Sequence, residues 1–534
     1  MEIELRHQNY PRVRQYPISK KAEEGIKPVI TDMLKAGILV ETTAPKCLTP
    51  IFPVRKATSG WRMIQDLRKV NDMVKHDTVE VANPHTLLNN ITAKEQWFSV
   101  IDLSNAFFSI PIHKDSQGLF AFKYGNKTYT YTRLPQGFTN SPTIYSQALE
   151  NSMQKCPALD NGKYLLYVDD ILVTGHDKAS CMSNTITVLK HLQCEGHKVT
   201  QGKVQLCTQR VKYLGHILTP GGRRLDNKRQ LAIAQTPRPE TKRQMMSFLG
   251  LCNYCRTWIS GFATLVQPLQ NAIHGKQMAM KDRIEWTPEQ EQAFIALKDA
   301  LQTQAMLHTP DYDAPFCLMV TSNSGFMSAA LTQKHGDRHK PLAFYSKRLD
   351  PVASGQPSCV QLIMAAAEAV EQSAEVVLTH PLQIMTTCNI PLILLQTPLP
   401  FVTNTRLLGL IATLMSQQHI SFSQHSKVSL PCLLATAADG KPHDCKARVE
   451  EETKPRVDIY TTPKPEQTHV FVDGSASKDN TGRNKVGYAI TSSICTLESG
   501  ALPPSFSAQT AELHAVTRAC KLMAGKAVCI WTDS

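Results

Sequence analysis

Tyr164-Leu165-Leu166-Tyr167-Val168-Asp169-Asp170-Ile171-Leu172-Val173 sets two adjacent carboxylates inside an otherwise apolar run. The run is rich in β-branched and aromatic residues, so it predicts a β-hairpin with the two acids at its tip. Apolar flanks hold such a tip in place. They also raise the cost of burying two carboxylates unless a cation neutralises them. An Asp-rich turn facing water gives the same pattern, because Asp is a common turn residue.

A third acid shifts the balance. Val100-Ile101-Asp102-Leu103 puts a carboxylate at the end of another apolar strand, followed by Ser104-Asn105-Ala106-Phe107-Phe108. Acids from separate strands can hold two Mg²⁺ ions about 3.5–4 Å apart. Carboxylate oxygens suit Mg²⁺, whereas imidazole and thiolate suit zinc. Around these acids, β-type runs at 96–101, 129–133 and 164–173 alternate with helical stretches at 141–153 and 178–193, an α+β or α/β pattern. Upstream, 19–39 reads as a helix with Ile26, Val29, Ile30, Met33 and Leu34 on one face and Gly37 as its stop.

The chain has 534 residues, which at roughly 100–200 residues per domain predicts three to five units. Apolar residues make up 42%, too many for a disordered chain. The net charge of +13 favours a polyanionic partner. Residues 190–229 alone carry +7, either a solvated basic face or a surface that tracks phosphates. No apolar run approaches the ~18–20 residues that cross a bilayer, and MEIELRHQNY is not a secretory signal. Fifteen scattered cysteines suit a reducing compartment better than a disulfide framework. The CxxC at Cys252 and Cys255 lies in a helical apolar segment without a second pair to complete a zinc site, so both are expected to be packing residues.

Pro237 and Pro239 mark a joint, after which a helical region runs to about Leu301. Residues 446–467 are charged, Pro-rich and poor in apolar side chains, as an exposed linker would be. A faint internal echo links 316–331 with 470–490: an apolar strand, a polar turn, then a strand of small residues. The second copy carries Asp473 where the first has Thr321, which suggests a duplicated fold with one copy lacking the acid.

Asp102 with its Ala-Phe-Phe, then Leu134-Pro135-Gln136-Gly137-Phe138-Thr139-Asn140-Ser141-Pro142, then Tyr167-Val168-Asp169-Asp170, then Tyr213-Leu214-Gly215-His216, stand in that order. Together they resemble a retroviral reverse transcriptase, in particular the gammaretrovirus-like branch of the pol polyprotein found in endogenous retroviruses. The resemblance runs from about Tyr16 to the end. It implies an α+β multidomain chain with a right-hand polymerase. Fingers and palm would occupy 1–225, the thumb 226–305, an RNase H-like connection domain without catalytic acids 306–445, the linker 446–467, and an RNase H domain 468–534.

The resemblance also implies roles. Asp102, Asp169 and Asp170 match the metal-binding acids of the palm, which would hold two Mg²⁺, with Mn²⁺ able to substitute. Phe107 matches the steric gate that selects deoxynucleotides. Gln136 and Gly137 match the loop that meets template and incoming dNTP. Lys56 and Arg62 match the triphosphate grip, and Lys203 falls near the pyrophosphate. Tyr167, Leu214 and Gly215 match primer contacts. Asp473, Glu512 and Asp533 match the first three metal-binding acids of RNase H. A fourth acid and a closing helix would lie beyond Ser534, so the RNase H domain is expected to be C-terminally truncated, with little or no hybrid cleavage. Implied partners are RNA and DNA template-primer, RNA–DNA hybrid and dNTPs, with no membrane, in a monomer or weak dimer that is cytoplasmic or virion-associated. Two rival readings stand beside this one: a decayed element that binds nucleic acid without polymerising, and a nuclease acting through the C-terminal domain alone.

Overall fold

Phe98, Val100 and Ile101 are buried, and the strand that carries them, Trp97–Asp102, lies inside a four-stranded antiparallel sheet. Asp170–Gly175 flanks it on one side and Gln205–Thr208 on the other, and Tyr164–Tyr167 closes the edge. The computed structural model describes residues 2–55, 60–75, 84–274, 278–303, 306–336, 338–397, 399, 402–430, 433–434, 442–454, 462–464, 466–478 and 484–532. The chain divides into a first unit, 1–452, and a second, 453–534.

Both faces of the sheet are covered, which explains why its strands read as continuous apolar runs rather than alternating ones. On one face, the helices Ser141–Met153 and Lys178–Cys194 bring Tyr145, Leu149, Val188 and Leu192 onto Ile101, Ile171 and Val173. On the other, Leu165 and Leu172 meet Leu88, Ile91, Val211, Tyr213 and Leu218. The helix 178–194 begins with a capping box, in which the Asp177 carboxylate accepts from the Ser180 N–H at 2.8 Å.

Upstream, the helix Lys20–Lys35 is shorter than its apolar pattern suggested. Gly37, at φ +67°, turns the chain so that Leu39–Glu41 enters a small sheet with Lys127–Tyr131 and Phe122–Tyr124. Ile51–Arg55 and Trp61–Gln65 pair as an antiparallel hairpin.

Beyond the central sheet, Val211–Tyr213, His216–Thr219 and Gly222–Leu225 form a meander whose fourth strand is Leu307–His308. The helices Asn227–Ala234, Lys242–Asn253, Phe262–Asn271 and Pro288–Gln302 are therefore an excursion that leaves and returns on neighbouring strands. Cys252 and Cys255 lie buried in the core of that excursion.

A five-stranded sheet follows, in the order Arg338–Arg348, Phe326–His335, Phe316–Asn323, Leu382–Thr386, Ile420–Gln424. The last two strands run parallel to Phe316–Asn323. Phe316, Leu318 and Val320 face the helix Ser358–Val377, while Cys317 and Met319 join the core of the helical excursion. The linker expected from 446 requires correction. Cys445–Thr453 is a helix, with Cys445 and Val449 buried against the same core as Ser358–Val377. Within a charged segment, Cys445 and Val449 stand at i and i+4 and so face the core together.

In the second unit the order is Thr496–Leu502, Asn484–Thr491, Thr468–Lys478, Val528–Trp531, with the last strand parallel to its neighbour. That repeats the order and directions of the first four strands of the five-stranded sheet. Its helix Ala508–Leu522 lays Ala515 and Ala519 on Val470, Val472 and Ile490. Among the described residues, no helix is long and apolar enough to cross a membrane.

Candidate active site

The strand register sets Asp102 and Asp170 opposite each other across adjacent antiparallel strands and Asp169 beside them. Such a pairing sets Cα atoms about 4.5–5.5 Å apart. Asp169 occupies the hairpin tip, and its carbonyl accepts the Leu103 N–H at 2.9 Å, which ties the tip to the strand of Asp102. Val168 supplies the turn at φ +52°, a conformation a β-branched residue adopts only under constraint from its surroundings.

These carboxylates are partly buried, and the electrostatics follow. Burial raises the pKa of Asp169, and repulsion from Asp102 adds to it. Asp170 is pushed up to about 6, by burial first and then by Asp169 and Asp102. Lys203 lies on the other side of the group, its Nζ 2.9 Å from Asp102 Oδ2 and 3.2 Å from Oδ1. The bond to that carboxylate raises the pKa of the ammonium. Two acids facing each other across paired strands and a third at the adjoining tip, each within electrostatic reach of the others, supply the kind of oxygen ligand a hard divalent cation takes.

A cleft of ≈ 660 Å³ is lined by residues that include Arg62, Gln65, Asn105, Phe108, Gln136 and Gly137, and by none of the three acids. Gly137, at φ +90°, makes the turn that presents Gln136. Asn71 holds this loop: its Nδ2 donates to the Gly137 carbonyl at 3.1 Å, and its Oδ1 accepts the Thr139 N–H at 3.0 Å. Nothing in the sequence marked Asn71, since a side-chain clip leaves no periodic or spacing signal. Asn71→Ala is expected to free the loop at a cost of about 1–3 kcal/mol for the hydrogen bonds lost. Faster hydrogen exchange at the Thr139 amide would check it.

Phe107 does not line that cleft. Its ring meets Tyr145 edge-on at 5.8 Å, while the neighbouring Phe108 forms the wall and stacks at 6.3 Å on Tyr131. Arg62 is exposed on its strand opposite Val54. Lys56 lies outside the described residues.

Leu214 and Gly215 form the two-residue turn between Tyr213 and His216, both at positive φ (+49° and +76°), as a type I′ hairpin requires. Tyr254, from the helical excursion, donates to the Leu214 carbonyl at 3.0 Å, and its ring stacks on His216. Tyr167 sits at the edge of the central sheet and packs into the same core as Tyr213 and Leu214.

In the second unit, Asp473 lies on the strand Thr468–Lys478 and Glu512 on the helix Ala508–Leu522. They are brought together at Gly474, where a Cβ would fall 2.1 Å from the Glu512 nitrogen. Thr532 donates to the Glu512 carboxylate. Asp533 lies outside the described residues.

A family model described as reverse transcriptase (RNA-dependent DNA polymerase) matches residues 54–218. One for the RNase H-like domain found in reverse transcriptase matches 286–384, and one for RNase H matches 465–534. The Gag-Pol polyprotein of Walleye dermal sarcoma virus is 39% identical over 529 residues, 98% of this chain and 30% of that protein. The Gag-Pol polyprotein of Koala retrovirus is 38% identical over 542 residues, 100% of this chain and 32% of that protein. Among solved structures, a foamy viral protease–reverse transcriptase in complex with RNA/DNA hybrid is similar at a TM-score of 0.66 and 26% identity, covering 98% of this chain and 68% of that one. A foamy viral protease–reverse transcriptase dRH in complex with double-stranded DNA matches at a TM-score of 0.70 and 28% identity, covering 78% of this chain and 72% of that one. Three acids at the end of such a sheet, followed by two sheets of RNase H type, define a right-hand polymerase joined to RNase H-like domains. The chain belongs to the retroviral reverse transcriptases of Gag-Pol polyproteins. It spans about a third of the length of the curated relatives it matches, 30% and 32% for the two named.

Proposed function

We propose that this chain is an RNA- and DNA-directed DNA polymerase that extends a primer with dNTPs. The observation that carries the reading is the register of Asp102 opposite Asp170, with Asp169 at the adjoining tip. Asp102, Asp169 and Asp170 would hold two Mg²⁺, or Mn²⁺ in their place. The bound cations would lower the pKa of the primer 3′-OH and stabilise the departing pyrophosphate. The chain's own residues bind and orient. Arg62 and Lys56 meet the triphosphate, and their charge matches what phosphoryl transfer develops. Lys203 neutralises Asp102 before metal arrives and then faces the pyrophosphate. Gln136 and Gly137 meet the base pair being formed. Tyr167, Leu214 and Gly215 set the primer end. The basic stretch 190–229 tracks phosphates, so affinity falls with salt and depends little on sequence.

In the second unit, Asp473, Glu512 and Asp533 would hold Mg²⁺ for cleavage of the RNA strand of a hybrid. We place the chain in the virion or the cytoplasm, working as a monomer or weak dimer.

Extension of oligo(dT) on poly(rA) with Mg²⁺ or Mn²⁺ tests the main reading. Extension that is lost in Asp169→Asn is expected. Salt-sensitive binding of the duplex without extension would overturn it in favour of a binding protein. The same assay settles the sugar gate. Phe107→Val is expected to raise ribonucleotide incorporation relative to dNTP by about 10- to 200-fold. If Phe108→Val does so instead, the residue that walls the cleft is the gate.

A further inference from the structure

Three cysteines and a histidine with no part in polymerisation meet in the first unit. Cys359 sits in the first turn of the helix Ser358–Val377, and Cys388 follows the strand Leu382–Thr386. His443 precedes the helix Cys445–Thr453, which Cys445 opens. The Sγ atoms of Cys359, Cys388 and Cys445 lie 3.2, 3.6 and 3.4 Å from His443 Nε2. All four ligand atoms lie within 4.8 Å of one another.

Hydrogen bonding does not account for this cluster. A single imidazole nitrogen has one lone pair or one N–H to offer, and three thiols crowd it. A tetrahedral zinc ion does account for it. Bonds of about 2.3 Å to sulfur and about 2.0–2.1 Å to nitrogen place neighbouring S and N atoms about 3.6 Å apart, and the three separations found here average close to that value.

The surroundings point the same way. All three cysteines are buried. The Asn389 N–H donates to Cys445 Sγ at 3.2 Å. Gln424 Nε2 reaches the same sulfur at 3.7 Å and the His443 carbonyl at 3.2 Å. Donors aimed at sulfur, with a neighbour that fixes the histidine's backbone, are the outer shell expected around a thiolate ligand. Cys359 also lies at the N-terminus of a long helix, where a thiolate is favoured.

We propose that Cys359, Cys388, His443 and Cys445 bind one structural Zn²⁺. Four protein ligands close the coordination sphere and leave no position for substrate, so the site is not catalytic. On binding, each of the three S–H groups gives its proton to solvent as its Zn–S bond forms, and His443 coordinates as the neutral imidazole through Nε2. The site explains how the helix Cys445–Thr453 is held. At 9 residues it is shorter than the ~12–15 that a helix needs to persist alone, and among its described residues it buries only Cys445 and Val449. The ligands come from three separate stretches of chain, at 359, 388 and 443–445, which is why no CxxC announces them.

The full chain, expressed with zinc and purified without chelator, is expected to hold about one zinc per chain by inductively coupled plasma mass spectrometry. Asp169→Asn should hold the same amount, and the Cys359→Ser, Cys388→Ser double variant at least about tenfold less. Because that variant could fail to fold, the unmutated chain is also reconstituted with Co²⁺. Thiolate-to-cobalt charge-transfer bands together with tetrahedral d–d bands are expected. Equal zinc in the double variant, iron in place of zinc, or a cobalt spectrum without thiolate bands would each overturn the assignment.

Discussion

Asp170→Asn should abolish primer extension, by at least about 10³-fold, while making the metal-free protein more stable. Both effects come from one cause. Burial and the neighbouring Asp169 and Asp102 push the Asp170 carboxyl up to about 6 from its ordinary 3.8. Below the ordinary value it is protonated whether the chain is folded or not, and costs nothing. Above about 6 it is ionised in both states, and the folded state alone bears the repulsion. Stability of the metal-free protein therefore falls as pH rises between these limits, by up to about 3 kcal/mol. Asparagine removes the charge and with it that loss. Thermal unfolding in EDTA at neutral pH should show a higher transition for the variant, with a smaller difference near pH 4. A variant less stable than the parent at neutral pH would contradict this account of the site. In the metal-free protein a proton competes with a cation for Asp170, so the affinity for Mg²⁺ is expected to weaken as pH falls toward and below about 6.

Gly474→Ala is expected to disrupt the second unit. The clash is with backbone, not with a side chain that could swing away: the added carbon would stand 2.1 Å from the Glu512 nitrogen and 2.6 Å from its Cα. Strand and helix must separate, and the core between them is small, consisting of Val470, Val472, Ile490, Ala515 and Ala519. A loss of about 3 kcal/mol or more follows, at the upper end for overpacking. Hydrogen exchange should show lost protection across Ala508–Leu522, with the central sheet of the first unit unchanged. Protection equal to the parent's would contradict so close a crossing of strand and helix. The contact also explains the spacing of the acids, because Asp473 precedes the only residue type that lets its strand touch the helix at Glu512.

The positions of Asp102, Asp169 and Asp170 at strand ends were legible because an apolar run ending in Asp reports a strand end directly, whereas the pairing of their strands came from the structure. The helix Ser141–Met153 was equally plain, with Pro142 at its start and a clear apolar repeat. Other features left weaker traces. The segment from 446 was read as linker because its composition is charged, yet Cys445 and Val449, one turn apart, face a core formed by distant segments. Asn71 and the Cys359, Cys388, His443 and Cys445 group depend on contacts between distant segments, which no local period encodes. Phe107 and Phe108 are adjacent and alike, and only the short turn Ala106–Ser109 decides which ring faces the cleft.

The strand Phe316–Asn323 sends alternate side chains into two different cores. Its counterpart Thr468–Lys478, which bears Asp473, buries Val470, Val472 and Gly474 along one side and leaves most of the opposite side open within its own unit. A substitution on either side of the strand Phe316–Asn323 must therefore fit a filled interior, whereas the outward side of Thr468–Lys478 carries no such constraint from its own unit.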